Sequence, residues 1–504
     1  MTKLADMIKQ VLALDPAAPE LEYEARWTSW GDLGRLSAGL DQALTLAGLG
    51  QTARVGALVR NRMEMVGALL AIFSTERCLA TFNAHAPDQA LAADLAKGAP
   101  PVVIAVAEDW ARAPVREAVR EIGALGLELT GDPAAPVRTV PGLEGRPDAW
   151  VKPFAEGVAI EMLTSGTTGA PKRIPLAYRN FEQALLSAAS YERGRGEGDA
   201  PRLRSGVTIV TAPMAHIAGI TGVMNNILAG RKICLIDRFT VEAYRDAILR
   251  HRPKVATAPP SALRMFMDAN VPKEDISSLV AWRCGTAPLD PDLADAFYER
   301  YGIPVLQNYG ATEFAGGAAG WTIDDFKAHY KEKRGSVGRI NKGIEAQVVD
   351  PETGAVLAPG AEGLLELRGG NIGDGKTFVR TTDLAVVDAD QFLYIRGRYD
   401  GAIIRGGFKI LPDDVVKAMQ QHPAIREAAV VGVPDERLGQ VPAAAYIVKS
   451  GATPPAEDEL RAFLKERLNG YQIPVYLKAV DELPRTPSLK VSQPALKAMF
   501  EAQA

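Results

Sequence analysis

Short apolar runs alternate with segments of helical periodicity along most of this chain, and no other feature narrows its possible folds as much. The run ARVGALV (53–59) precedes a wholly apolar helical segment, MEMVGALLAIF (63–73), and PVVIAVA (101–107) precedes AEDWARAPVREAVREIG (107–123). Residues 33–49 carry apolar side chains at helical spacing and stop at Gly48-Leu49-Gly50. Further on come GVTIVTAP (206–213), RKICLID (231–237), KVATAPP (254–260) and PVLQNYG (304–310), each an apolar run closed by small residues. Strands this short between helices predict parallel sheets covered on both faces, with ligand groups gathered beyond the carboxyl ends of the strands.

The texture changes near Gly335. IEAQVVDPETGAVL (344–357), EGLLELRGG (362–370) and DLAVVDADQFLYIRG (383–397) are strands with turn signals between them and predict an antiparallel or barrel-like section. After Arg398 a last unit follows, helix (412–422), strand (427–434), strand (443–450) and helix (457–468). The class is therefore α/β: a large N-terminal domain, 1–397, of parallel doubly covered sheets plus a small β-barrel-like section, then a small α+β C-terminal domain, 398–504. The stretch RGRGEGD (193–199) is a charged surface loop.

Composition removes several classes of function. In 504 residues, Lys+Arg is 57 and Asp+Glu is 61, a net charge of −4 without a basic tract for nucleic acid or anionic lipid. The segment at the N-terminus is too charged for a signal peptide and predicts a short amphipathic helix. No uncharged apolar stretch reaches the ~18 residues of a membrane span. The three cysteines, Cys78, Cys234 and Cys284, are far apart, which argues against a disulfide framework or a structural zinc site and suits a reducing cytoplasm.

The strongest chemical signal follows the strand VAIEML (158–163): Thr164, Ser165, Gly166, Thr167, Thr168, Gly169, Ala170, Pro171, Lys172. Glycines let backbone N–H groups turn toward an anion, hydroxyls add donors, and the lysine adds a point charge, so this is phosphate-binding chemistry. The spacing is not that of a Walker A loop, because Pro171 stands where its second glycine belongs. A plain Ser/Thr/Gly surface loop is the alternative.

The segment TSGTTGAPK resembles the phosphate-loop signature of the adenylate-forming enzymes, which comprise acyl- and aryl-CoA synthetases, peptide-synthetase adenylation domains and beetle luciferases. Further matches follow in the family's order. Pro213-Met214-Ala215-His216-Ile217-Ala218-Gly219 resembles its P-x-x-H-x-x-G segment, and Gly285-Thr286-Ala287-Pro288-Leu289 its adenine-side turn. Asn308-Tyr309-Gly310-Ala311-Thr312-Glu313 resembles G-Y-G-x-T-E, Arg380-Thr381-Thr382-Asp383 the ribose motif, and Gly397-Arg398-Tyr399-Asp400 the hinge. Lys409-Ile410-Leu411-Pro412 and the segment 484–490, ending in Leu489-Lys490, complete the set.

The resemblance implies an AMP-forming acid–thiol ligase that uses ATP, Mg²⁺ and coenzyme A, with a small carboxylic acid as substrate and a C-terminal domain that is mobile about Asp400. Under it the 164–169 loop and Lys172 hold the β- and γ-phosphates, Thr312 donates to the α-phosphate, and Glu313 ligates the metal. Gly285, Thr286, Ala287 and Asn308 border the adenine, Tyr309 offers it a flat face, and Asp383 accepts the ribose hydroxyls with help from Arg398. His216 gates the acid pocket, which also takes Ile217, Thr221, Asn225, Gly285 and Asn308. Lys490 reaches the carboxylate and α-phosphate, while Gly406 and Gly407 line a pantetheine channel in a second domain orientation. Asn308 in place of a glycine favours an aryl or modest-length acid. Three positions and one length depart from the pattern: Arg173 for the glycine after the lysine, Thr382 for a glycine, Leu489 for the glycine before Lys490, and a shortened stretch between Gly370 and Arg380. Two rivals share part of the site: a ligase whose acceptor is an amine or a carrier-protein thiol, and a non-catalytic sensor of acyl-AMP or nucleotide.

Overall fold

The computed structural model describes residues 2–164, 172–189, 201–399, 401–406, 408–486 and 489–501. Five sheets organise them. The largest has seven strands in the order Val137–Glu144, Leu125–Leu129, Val102–Ala105, Arg54–Val59, Cys78–Asn83, Val158–Thr164, Lys172–Ala177. Its inner five run parallel and both edge strands antiparallel. A four-stranded sheet, Arg204–Val210, Arg231–Leu235, Pro19–Tyr23, Arg26–Ser29, likewise ends in an antiparallel edge. The sheets are thus mixed and not wholly parallel as expected. Each antiparallel edge strand directly follows its partner in the chain, a short-loop connection that a parallel pair does not permit.

The helix Met63–Ser74 is buried on every side from Met65 to Ser74, consistent with its unbroken apolar sequence. It shares one core cluster with strands of both these sheets, among them Val55, Leu79, Leu21 and Ile233. The helix expected over 33–49 runs Trp30–Leu46 and begins in a capping box, Ser29 with Asp32. The single helical segment expected over 107–123 is instead two helices, Ala107–Trp110 and Ala113–Glu121. Pro114 lies in the first turn of the second, the place where a helix loses nothing by its missing N–H.

A third sheet places Val255–Thr257, Ala281–Cys284 and Val305–Ala311 in parallel, then Gly316–Gly320 and Arg339–Ile340 antiparallel. The section past Gly335 is an open antiparallel meander, Ile344–Val349, Glu362–Gly369, Val379–Val387, Leu393–Arg398, rather than a closed barrel. In the small C-terminal domain the strands Phe408–Ile410, Ile403–Arg405, Gly439–Val448 and Ile425–Asp435 are joined by Tyr476–Ala479, with helices Pro412–Gln420, Glu457–Lys465 and Gln493–Glu501. Among the described residues no helix is long and apolar enough to cross a membrane. The three cysteines are buried and unpaired.

Candidate active site

The helix Ile217–Leu228 starts immediately after His216, and a buried asparagine 155 residues before that histidine fixes the start. Asn61 accepts from the Met214 N–H at 2.8 Å and donates to the carbonyls of Ala212 and Ile236 at 3.1 and 3.2 Å. Its three bonds pin the loop that carries His216. Nothing local in the sequence marks Asn61, which follows the strand ARVGALV and Arg60 and finds all three partners beyond residue 210. Ile217, Thr221 and Asn225 recur every fourth residue, so they share one face of the helix, and all three border one cleft. The Thr221 proton is committed to its own helix, at 2.8 Å from the Ile217 carbonyl.

The parallel strands Ala281–Cys284 and Val305–Ala311 bring their carboxyl ends to the same cleft. Gly285 has no room for a side chain: a Cβ there would lie 1.8 Å from Asn308 Oδ1. Asn308 therefore sits directly over Gly285, and the two form one wall. Gly310 is closed in similarly, a Cβ falling 2.3 Å from the Gly316 carbonyl oxygen across the hairpin. That close turn delivers Thr312 and Glu313 on a short 3₁₀ segment, Thr312–Phe314, to the cleft edge. Thr286 holds φ +68°, and Ala287 follows it along the cleft.

The residues expected on the nucleotide side are tied to one another. Tyr309 donates its hydroxyl to Asp383 Oδ2. Burial, and after it the Asp383 charge, pushes the phenol well above its usual range, so it stays a donor. The sequence reading gave Tyr309 only a flat face and left Asp383 wholly to the ribose; the structure commits one carboxylate oxygen to the phenol. Asp383 stands opposite Arg398 in the register of the meander, and Arg398 Nη2 donates to Thr382 Oγ1 at 2.7 Å. Thr382, a departure from the expected glycine, thereby orients the arginine.

Lys490 enters from the small domain on a turn in which Thr486 N–H donates to the Lys490 carbonyl at 2.8 Å. Its side chain exposes surface, yet the ammonium lies within the cleft, where loss of water and then the like charge of Arg398 lower its pKa. Burial and then the charge of Lys490 push His216 down to about 4. Lys490 thus acts electrostatically on His216 and is itself acted on by Arg398 within one cleft. An NMR titration of His216 should find its midpoint near 4, and Lys490→Met should move it upward, with burial alone still opposing protonation. Between about 6.5 and 4 the unfolded chain takes up a proton that the buried imidazole refuses, so this group's effect is stability lost as pH falls through that window. An unchanged midpoint in Lys490→Met would mean that the two side chains do not meet.

The strands on either side of the phosphate loop pair Thr164 with Lys172. Ser165, Gly166, Thr167, Thr168 and Gly169 lie outside the described residues, as do Asp400, Gly407 and the 193–199 segment. Arg173 follows Lys172 for a structural reason. Its guanidinium grips Asp94 at 2.9 and 3.0 Å, donates to the Thr81 carbonyl at 2.8 Å and lies 4.3 Å over the ring of Phe82. Gly406 turns at φ +57°, donates to the Leu438 carbonyl at 2.8 Å, and in this arrangement stands apart from the cleft. Away from the site, the fold brings ligand atoms of Glu22, Cys234 and His251 within 4.8 Å of one another, and Arg250 already binds the Glu22 carboxylate.

His216, Ile217, Thr221, Asn225, Gly285, Thr286, Ala287, Asn308, Tyr309, Thr312, Glu313, Asp383, Arg398 and Lys490 thus come together on one cleft of about 3630 Å³ between the two domains. A pocket for a single small ligand occupies ~300–1,000 Å³, so there is space for more than one.

Comparison with known proteins gives concordant matches. The AMP-binding enzyme profile matches residues 8–375, and the AMP-binding enzyme C-terminal domain profile matches 417–490. A 4-coumarate–CoA ligase-like protein of Arabidopsis thaliana is 30% identical over 346 residues, 66% of this chain and 60% of that one. The 2-succinylbenzoate–CoA ligase of Bacillus cereus is 30% identical over 67% of this chain and 69% of its own length. These alignments span about three fifths to two thirds of the curated relatives. ATP-bound MatB from Rhodopseudomonas palustris has the same fold, with TM-score 0.82 and 24% identity over 99% of both chains. So does the o-succinylbenzoate CoA synthetase of Bacillus subtilis in complex with ATP and magnesium, with TM-score 0.76 and 24% identity over 97% of this chain and 99% of that one.

Proposed function

This chain belongs to the AMP-binding enzyme family, and from that premise we propose that it activates a carboxylic acid as its acyl-adenylate and passes the acyl group to the thiol of coenzyme A. The observation that carries the reading is that Lys490 of the small domain lines the same cleft as Arg398 and as His216, Thr312, Glu313 and Asp383 of the large one.

A carboxylate is a poor electrophile and must be activated before a thiol can attack it. In the first step a carboxylate oxygen bonds to the α-phosphorus of ATP as the bond to pyrophosphate breaks. Negative charge on the phosphate oxygens calls for preorganised cations and donors. Lys490 supplies a cation on a long flexible stem. Asp383, fixed by Tyr309, accepts from the ribose, and Arg398, held by Thr382, adds its charge beside it. Thr312 donates to the α-phosphate, and Lys172 with the 164–169 loop holds the outer phosphates. Neutral His216 stands between the acid pocket and the thiol path and adds no charge near the carboxylate. Glu313 offers an exposed carboxylate at the cleft edge, a hard oxygen donor suited to Mg²⁺, which when bound would neutralise the pyrophosphate leaving group. In the second step the thiolate sulfur bonds to the acyl carbon and AMP leaves. We place the domain boundary at 397/398 with Asp400 as the pivot, and assign Gly406 and Gly407 to the thiol channel of the second orientation.

The test is a panel of aryl, phenylpropanoid and aliphatic acids with ATP and Mg²⁺, followed for pyrophosphate, AMP and acyl-CoA. Pyrophosphate release with every acid but no acyl-CoA would move the acceptor to an amine or a carrier-protein thiol. Binding of ATP without release would make the chain a sensor.

The wall formed by Asn308 over Gly285 supports an aryl or modest-length acid. Asn308→Gly opens that wall, so it should lower KM for longer acids and raise it for the native one. A few methylenes in an apolar pocket discriminate by ~1–3 kcal/mol each at best, so the outcome is a shifted preference. A uniform loss across all chain lengths, with the ranking kept, would remove Asn308 from the acid pocket.

A further inference from the structure

We propose that Leu489 is a positioning residue for adenylate formation, the apolar plug that seats the Lys490 turn in the large domain. The inference deepens the ligase reading and rests on it for its kinetic half alone. Leu489 has φ +61°, a conformation that glycine adopts freely and leucine does not. Its side chain nevertheless leaves the small domain and packs against the large domain's buried cluster that includes Phe239, Phe266 and Trp282.

The backbone of the same residue is held from the other side. Arg485 Nη1 donates to the Leu489 carbonyl at 2.9 Å, while its Nη2 grips both oxygens of Glu427 at 2.7 Å. The Leu489 N–H donates to the Thr486 carbonyl at 2.9 Å. Glu427 lies on the strand Ile425–Asp435, so the small domain owns the backbone of Leu489 and the large domain owns its side chain. Beside Glu427, Arg426 reaches Asp268 of the large domain at 3.2 Å. Lys490 is the next residue in the chain, so wherever the leucine is seated the ammonium is aimed. A glycine here would satisfy the backbone and leave the turn without a seat. The same seat opposes departure of the small domain toward its second orientation.

Three variants separate the seat from the strain. Leu489→Gly suits φ +61° but lacks the plug, Leu489→Ala lacks the plug and keeps the strain, and Leu489→Met keeps an apolar side chain of similar size. Exchange of labelled pyrophosphate into ATP, with the fastest acid of the panel, should fall about tenfold in the glycine and alanine variants, equivalent to ~1.4 kcal/mol. The methionine variant should stay within about twofold. A second readout needs no substrate: Asp268→Cys with Arg426→Cys, joined by a bismaleimide in the ligand-free protein, where the native cysteines are buried. Crosslinking should drop in the glycine and alanine variants and persist with methionine. Exchange in Leu489→Gly equal to or above wild type, or crosslinking equal in all variants, would overturn the proposal. If no acid supports exchange in the wild type, the ligase reading fails and crosslinking still decides the seat.

Discussion

Replacing Lys490 with alanine is expected to slow adenylate formation several hundredfold while thioester formation from a supplied acyl-adenylate continues near its wild-type rate. Lys490 lines the cleft together with His216 and Arg398, and its charge opposes protonation of His216. Charge on the α-phosphate grows in the transition state, so a cation there contributes more at that point than in the bound substrates. Its loss should cost roughly 3–4 kcal/mol, appearing in kcat of the first step and little in KM for ATP. The second step needs no cation at that position, and in the second orientation proposed above the lysine has left with the small domain. Rapid-quench measurement of the two half-reactions checks this. An equal fall in both would make Lys490 a structural residue.

The second large effect is expected at Asp383. Asp383→Ala removes the acceptor proposed for the ribose and orphans the buried Tyr309 hydroxyl. Hydrogen bonds to a charged group contribute ~1.5–3 kcal/mol each, so KM for ATP should rise about a hundredfold. An unsatisfied buried phenol costs a further ~1–3 kcal/mol of stability, visible as a lower Tm. Adding Tyr309→Phe should restore most of the lost stability without restoring ATP affinity, because it removes the orphaned donor and supplies no acceptor. A double-mutant cycle over the two residues measures their coupling. Unchanged KM for ATP with the Tm still lowered would leave Asp383 as a partner of Tyr309 alone.

The departures from the family pattern show where a sequence stops being informative. Arg173, Thr382 and Leu489 each stand where a glycine was expected, and each has a partner remote in the chain or in the other domain. Arg173 binds Asp94 and the Thr81 carbonyl, Thr382 receives Arg398, and Leu489 reaches the cluster around Trp282. In the linear pattern they were only irregularities. Asn61 was invisible for the same reason, since its partners lie beyond residue 210.

What the amino-acid order determined by itself was local. Apolar runs of strand length, the apolar helix Met63–Ser74, the change of texture near Gly335 and the order of the motifs follow from side-chain periodicity and from residues whose backbone demands are met within a few neighbours. Gly310 belongs here, because the backbone of Gly316, six residues on across the hairpin, leaves no space for a Cβ. Tertiary structure alone decided the rest. It set the antiparallel edges of the mixed sheets, the open meander, the Asn308 wall over Gly285, the Tyr309–Asp383 bond and the placing of Lys490 between His216 and Arg398. The physical reason is that hydrogen bonds and charge coupling act over a few ångströms in space, and the side-chain partners among these, from 23 to 274 residues apart in sequence, become neighbours only when sheets and domains have packed.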